Sequence, residues 1–365
     1  MAVNYIETLE NCRFCLMCRH MAALAVVTDV ETLTPHGIAL IATSVERGLI
    51  EWNDETVGVI YSEPDGGNCR AHCVFDQPHP EAVAAVRAEL VEQNLAPQVV
   101  YEVQAALEKW ATPFAEKPVE AASGTGDVAI FVGDEAKYLW PGTIPAVQKL
   151  VAAAEGGPVI IGNGRSNGLL ATSLGLRSTA VALAEANLAE IRISGAKTLL
   201  VLSPGDYFTF NQAYSERLDV EFPDDVEIVE LTTWLAQQMD AGVLKFRADA
   251  VGAEVTYVDP THAVRVPGRE DIVRGLVTAV ANSNPLELFW RRDRAQPVGS
   301  THLQFSKPEL AEKLTRARLQ DAQNSGAKTI ICEDPGTLHQ LNKYASEYGL
   351  QVQGLYELLA EQVES

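Results

Sequence analysis

Positive charge is what this chain has least of. Its 28 Lys and Arg face 49 Asp and Glu, a formal charge of −21. Nucleic-acid binding needs a basic surface, so that class is excluded. Attraction to an anionic membrane face is disfavoured for the same reason. Long apolar runs are missing too: none approaches the roughly 18 residues that span a bilayer. The first residues, Met1 to Glu7, hold no basic segment followed by an apolar run, so no secretory signal is expected. Cysteine is scarce, six in 365 residues. Five of the six fall before residue 74, which does not resemble a secreted disulfide framework. A reducing, cytoplasmic setting is the expectation. What is present is ordinary for a protein with a real core: 47% hydrophobic and 21% charged residues. The length suggests two or three domains.

The early cysteines form an asymmetric pattern. Cys12, Cys15 and Cys18 stand at C-x₂-C-x₂-C spacing, and Cys69 and Cys73 follow some fifty residues later. Two-cluster ferredoxin domains repeat C-x₂-C-x₂-C-x₃-C, and the fourth cysteine of each run serves the other run's cluster. By that rule Cys73 completes a Cys₄ set with Cys12, Cys15 and Cys18. The second set would need positions 63, 66, 69 and 22, which are Glu63, Gly66, Cys69 and Ala22. One [4Fe–4S] cluster is expected and the other is lost. Structural zinc also accepts four thiolates, though usually from two separated C-x₂-C pairs. Cys69 and Cys332 are expected to be free or buried thiols.

The first 111 residues read as helical. Thr34-Pro35 and His79-Pro80 open helices, and Pro97 to Ala111 makes another. Residues 112–127, rich in Pro, Ala, Ser and Gly, read as a linker. Beyond it, short apolar runs alternate with helical stretches. The strand candidates are Val128–Val132, Val159–Gly162, Thr198–Leu202, Val226–Leu231, Val255–Val258, Leu286–Trp290 and Thr329–Cys332. Such alternation implies an α/β fold with parallel sheets. Ser194-Gly-Ala-Lys-Thr198 recurs as Ser325-Gly-Ala-Lys-Thr329, each followed by Pro-Gly, at Pro204 and Pro335. The region therefore divides into two related lobes, 128–245 and 246–365.

Three further motifs have a functional and a plain reading. Gly162-Asn-Gly-Arg-Ser-Asn-Gly168 resembles a phosphate-cradling loop but misses the dinucleotide spacing, which favours a strand-to-helix turn. Asp259-Pro-Thr-His262 could do acid–base work at a strand end, or cap a helix. Trp290-Arg-Arg-Asp-Arg294 is a small basic island, either a partner contact or a solvated turn.

With these parts together, the chain resembles the iron–sulfur subunits built from a helical ferredoxin domain and two cysteine-rich "CCG" domains. Examples are heterodisulfide reductase-type subunits and the iron–sulfur subunits of anaerobic glycerol-3-phosphate dehydrogenase and of lactate or glycolate oxidase. Thr34-Pro-His-Gly37, Phe131-Val-Gly-Asp134, Leu202-Ser-Pro-Gly-Asp206-Tyr207 and Val255-Thr-Tyr-Val-Asp-Pro-Thr-His262 look like the family's motifs. The resemblance implies a helical ferredoxin-like domain over residues 1–111 and two CCG-like lobes behind it. Wherever the family has a CCG cysteine, this chain has something else: Asp134, Ser166, Asn167, Ser203, Asp206, Thr261, Asp334 and Thr337. The second, catalytic cluster of the family should then be absent.

Two functions follow as expectations. One is a one-cluster electron-transfer subunit whose partner is a flavin-dependent dehydrogenase or demethylase. The other is a non-catalytic scaffold in which the cluster on Cys12, Cys15, Cys18 and Cys73 is structural, with the lobes holding partner subunits or a second copy of the chain. A repurposed cleft using Asp134, Asp206, His262 or Asp334 is a third class, with no nucleophile–base pair in the sequence to support it.

Overall fold

The computed structural model describes residues 4–364 apart from 121, 123, 249–251, 253 and 282. The region up to residue 111 is helical, as its apolar spacing and start signals require. Its longer helices are Pro35–Glu46, His79–Glu92 and Gln98–Trp110. Thr34 caps the first, its hydroxyl accepting the N–H of Gly37 at 3.1 Å, with Pro35 preset for the first turn. Helix His79–Glu92 buries Val83, Val86 and Leu90 together with Arg87. That guanidinium donates to the carbonyls of Ile60, Glu63 and Ser173. Arg87 is thus held by backbone dipoles from two parts of the chain, which offsets its burial. Gly175 (φ +84°) lets a second helix end reach this one: a Cβ there would lie 2.4 Å from the backbone of Arg87.

Residues 112–127 cross to the first sheet without forming a described helix or strand. They are not loose. Thr112 is buried and Phe114 stacks against Phe305, ring centroids 5.8 Å apart.

The rest is α/β. Strands β1 (Val128–Phe131), β2 (Val159–Ile161), β3 (Thr198–Val201) and β4 (Glu227–Glu230) form a parallel sheet in the order β2-β1-β3-β4. Strands β5 (Val255–Tyr257), β6 (Thr329–Cys332) and β7 (Gln351–Gly354) form a second, in the order β5-β6-β7. The sequence repeat lands on equivalent places, β3 and β6. In each copy the Pro-Gly opens the next helix, Pro204–Phe208 or Pro335–Asn342. Ser203 and Asp334 cap these helices, accepting the N–H of Asp206 (3.1 Å) and Thr337 (2.9 Å).

Two expectations need correction. Leu286–Trp290 is not a strand. It makes one bridge, Leu286 beside Thr256, and then turns away. Asp321 accepts the N–H groups of Phe289 and Trp290 at 3.0 and 2.9 Å, so those donors are not free for a ladder. Conversely, β7 has no apolar run. As an edge strand it is half exposed, so its sequence, Gln-Val-Gln-Gly, carries little hydrophobic pattern.

A buried ionic junction joins the helical region to both sheets. Asp65 accepts two bonds from Arg217 (2.7 and 2.8 Å) and one from Arg265 (2.7 Å). Glu81 accepts from the same two arginines at 3.2 and 2.9 Å. Burial would raise Asp65, but the Arg217 and Arg265 guanidinium groups hold it well below the usual carboxylate range. No helix among the described residues is long and apolar enough to cross a membrane.

Candidate functional site

Cys12 ends the helix Tyr5–Cys12. The chain then turns tightly: the N–H of Cys15 donates to the Cys12 carbonyl at 3.0 Å, and that of Met21 to the Cys18 carbonyl at 2.9 Å. This places three thiols in one loop. Cys73 follows the short helix Asn68–Ala71, and its sulfur accepts the N–H of Gln77 at 3.4 Å. All four thiols are half-buried and unpaired. They share one neighbourhood. Burial, then the charges of Cys18, Cys73 and Cys15, push the Cys12 thiol up to about 12. Burial, then Cys15 and Cys73, push Cys18 up to about 11. A cationic metal core removes that mutual repulsion, and soft anionic sulfur is the donor it prefers. The residues therefore fit an iron–sulfur cluster as a donor set.

The hollow is open at its rim. Phe14, Leu16, Met17, Val74 and Phe75, each within two residues of one of these cysteines, are all more than half exposed. The basic island lies beside it: His72 donates through Nε2 to the Asp293 carbonyl at 2.8 Å.

Cys69 does not join the four. It is fully buried with Glu63 and His79, and the ligand atoms of these three lie within 4.8 Å of one another. Among the described residues no three of the hollow's cysteines come that close. Sequence reasoning left Cys69 as a lone thiol. It missed His79, which looked like a helix-start residue.

The second convergence lies where the strands of both sheets end, the usual place for sites in parallel α/β folds. Asp134 follows β1, Ser166 and Asn167 follow β2, Ser203 and Asp206 follow β3, His262 follows β5 and Asp334 follows β6. All seven line one narrow cleft with about 80 Å³ of open space. The polar groups hold one another. Asn167 donates to Asp206 at 2.7 Å and Ser203 to its other oxygen at 2.9 Å. Thr261, Ser300 and Thr337 form a hydroxyl chain, 2.8 and 3.3 Å. Burial pushes Asp134 up to about 6 and Asp206 up to about 7. Burial, then the charges of Asp334, Asp134 and Asp206, push Glu135 well up. Burial holds His262 down to about 4, so its ring is neutral. Carboxyls that titrate near neutrality can take and give protons. Cys332, at the end of β6, is fully buried and is not a cleft residue.

The glycine turn takes its plain reading, whereas His262 makes no side-chain cap on the helical turn that follows it. In the Gly162–Gly168 turn the Gly162 N–H donates to the Glu190 carboxylate at 2.8 Å, so an acidic side chain occupies a donor a phosphate would use. Asp259 is paired with Arg274, at 3.1 and 2.9 Å, and is not free for proton transfer.

No family model matches this chain, and no curated protein does. Among solved structures, a hypothetical protein from Helicobacter pylori is similar with a TM-score of 0.62 and 11% identity, over 99% of this chain and 73% of that one. At that identity the likeness is one of fold. A putative Asp/Glu racemase from Yersinia pestis reaches a TM-score of 0.29 and 14% identity, over 64% of this chain and 96% of that one, too low to carry an argument.

Proposed function

We propose that this chain is an iron–sulfur subunit of the heterodisulfide reductase-like, CCG-domain class, with one [4Fe–4S] cluster held by Cys12, Cys15, Cys18 and Cys73, and that it carries electrons to or from a flavoprotein dehydrogenase or demethylase. On this reading residues 1–111 are the ferredoxin-like part, and 128–245 and 246–365 are CCG-like lobes that have lost their cluster. The observation that carries it is that Cys73 lies near enough to the Cys12–Cys18 loop for its charge to act on Cys12 and Cys18. The crossed-ligand rule asks for that cysteine from sequence alone.

A bound cluster supplies one-electron transfer. The chain's own residues do the rest. The four sulfurs hold it, and the Gln77 N–H donates to one of them, which favours the anionic thiolate. The exposed rim of Phe14, Leu16, Met17, Val74 and Phe75 suits docking of a redox partner directly over the hollow.

A second reading, a scaffold with a structural cluster, draws support from the cleft, whose polar groups now satisfy one another. The test is anaerobic purification with iron and sulfide counts, followed by a redox titration. About four irons, matching sulfide and a broad absorbance near ~400 nm are expected. Reversible bleaching by dithionite selects electron transfer; a cluster inert to it selects the scaffold. An iron-free chain, or one with about eight irons, overturns the one-cluster reading.

A further inference from the structure

The positions that would have held a second cubane have not simply been filled in. Glu63 and Cys69 are two of the four, and both are buried beside His79. Three donor types meet there: a thiol sulfur, an imidazole nitrogen and a carboxylate oxygen. That is the donor set of zinc. The histidine is prepared as metal-binding histidines are. Its Nε2–H donates to the Pro35 carbonyl at 2.9 Å, which leaves the Nδ1 lone pair facing Cys69, whose sulfur is 3.9 Å away. Zinc–sulfur and zinc–nitrogen bonds of about 2.3 and 2.0 Å at a tetrahedral angle put those atoms about 3.5 Å apart. The observed 3.9 Å is a weak hydrogen bond between thiol and ring nitrogen, a contact that needs only a small closure to bring both atoms onto one ion. The carboxylate is also braced, Glu63 accepting the N–H of Asp65 at 2.9 Å, as ligating carboxylates usually are.

From this geometry we infer that Glu63, Cys69 and His79 form a closed site for a single zinc ion, independent of the four-cysteine hollow. Thiolate, carboxylate and neutral imidazole bring two negative charges to a divalent cation. The assembled centre is electrically neutral, which is what burial demands. On binding, the metal displaces the thiol proton, and the carboxyl proton if present, to solvent. Gly66, the third of the old positions, cannot contribute: a Cβ there would lie 2.9 Å from Asn68 and 3.3 Å from Pro297. Three donors, and not four, therefore meet at the site, which suits a single ion rather than a four-iron cluster. It does not depend on what the hollow binds.

The experiment is a metal count on the intact chain, purified from zinc-supplemented medium and dialysed against a chelator, with Cys69→Ala and His79→Gln alongside. Native protein should keep about one zinc per chain. Each variant should lose it roughly tenfold or more, while iron, read in the same samples, stays at the native level and reports that the fold is intact. Cobalt(II) in place of zinc should give the visible bands of a tetrahedral centre with a thiolate charge-transfer band, absent from Cys69→Ala. Native protein without zinc, or without the cobalt–thiolate band, overturns the inference. So does zinc that survives in Cys69→Ala, because it then sits in the hollow. Loss of iron in Cys15→Ser with zinc retained separates this site from the cluster reading.

Discussion

In the hollow, four half-buried thiols act on one another through their charges, and a backbone N–H is directed at one of them. In the cleft, the loops after β1, β2, β3, β5 and β6 offer hydroxyl, amide, imidazole and carboxyl groups, and several of these pair, Asn167 and Ser203 with Asp206 and Thr261 with Ser300. The hollow needs something from outside to settle its charges. The cleft settles its own, at the expense of carboxyls held partly protonated. The difference is one of donor chemistry, soft and anionic in the one and hard and hydrogen-bonding in the other.

The comparison breaks most sharply at Cys73. Cys73→Ser should strip the iron as completely as Cys15→Ser, though the two cysteines lie far apart in sequence, whereas Cys69→Ala should leave iron unchanged. Equal iron in Cys73→Ser and native protein would remove the hollow from the argument. Next comes the junction beneath both sites. Arg217→Met leaves Asp65 and Glu81 with one arginine between them and should destabilise the chain by about 3–5 kcal/mol, read as a shifted urea midpoint. An unchanged midpoint means the network is not what joins the helices to the sheets.

The cleft should respond in the opposite direction. Asp206 is raised to about 7 in the folded chain, above its unfolded value of about 3.9. The folded state then holds the extra proton between those values, so stability falls as pH climbs from about 4 to about 7. Asp206→Asn should therefore stabilise the protein on the order of 2–4 kcal/mol at pH 8 and have almost no effect at pH 4. Asp65 and Glu81 carry the reverse sign. Their folded-state values are lowered, so their contribution is complete above about pH 4 and is lost as the pH falls below it. A melting-temperature profile of native and Asp206→Asn protein from pH 2 to 8 checks both; parallel profiles would contradict the account of the cleft. The smallest effect is expected at Ser300, which links Thr261 to Thr337. Ser300→Ala should lower stability by about 1 kcal/mol, and no measurable change would mean that the hydroxyl chain is solvent-bridged.

The fold was legible wherever one physical signal dominated. Apolar runs marked β1, β2, β3, β5 and β6, and the Pro-Gly repeat gave the matching helix starts. Leu286–Trp290 had the right composition, but its amides are taken by Asp321, a contact no local pattern announces. Strand β7 carried no apolar signal because it is an edge. It could still have been found by following the repeat past β6 to the position that β4 holds past β3. Among the cysteines, Cys12, Cys15 and Cys18 stand out in the sequence because their spacing is local, and Cys73 only through the crossed-ligand rule. The gathering of Asp134, Asp206, His262 and Asp334 along one cleft was readable only in outline, through positions rather than partners. His79 was hidden altogether: its proximity to Glu63 and Cys69 comes from packing.

The hollow is written almost entirely in the first 73 residues, yet much of what supports it comes from the far end of the chain. Asn68 donates to the carbonyl of Ala295, His72 to that of Asp293, and His302 to that of Glu63, contacts separated by 227, 221 and 239 positions. During translation, at about 5–20 residues per second, the cysteines wait roughly ten to fifty seconds for these partners. The cysteine-bearing segment thus leaves the ribosome well before the partners that hold it, and is among the last parts of this chain to be finished.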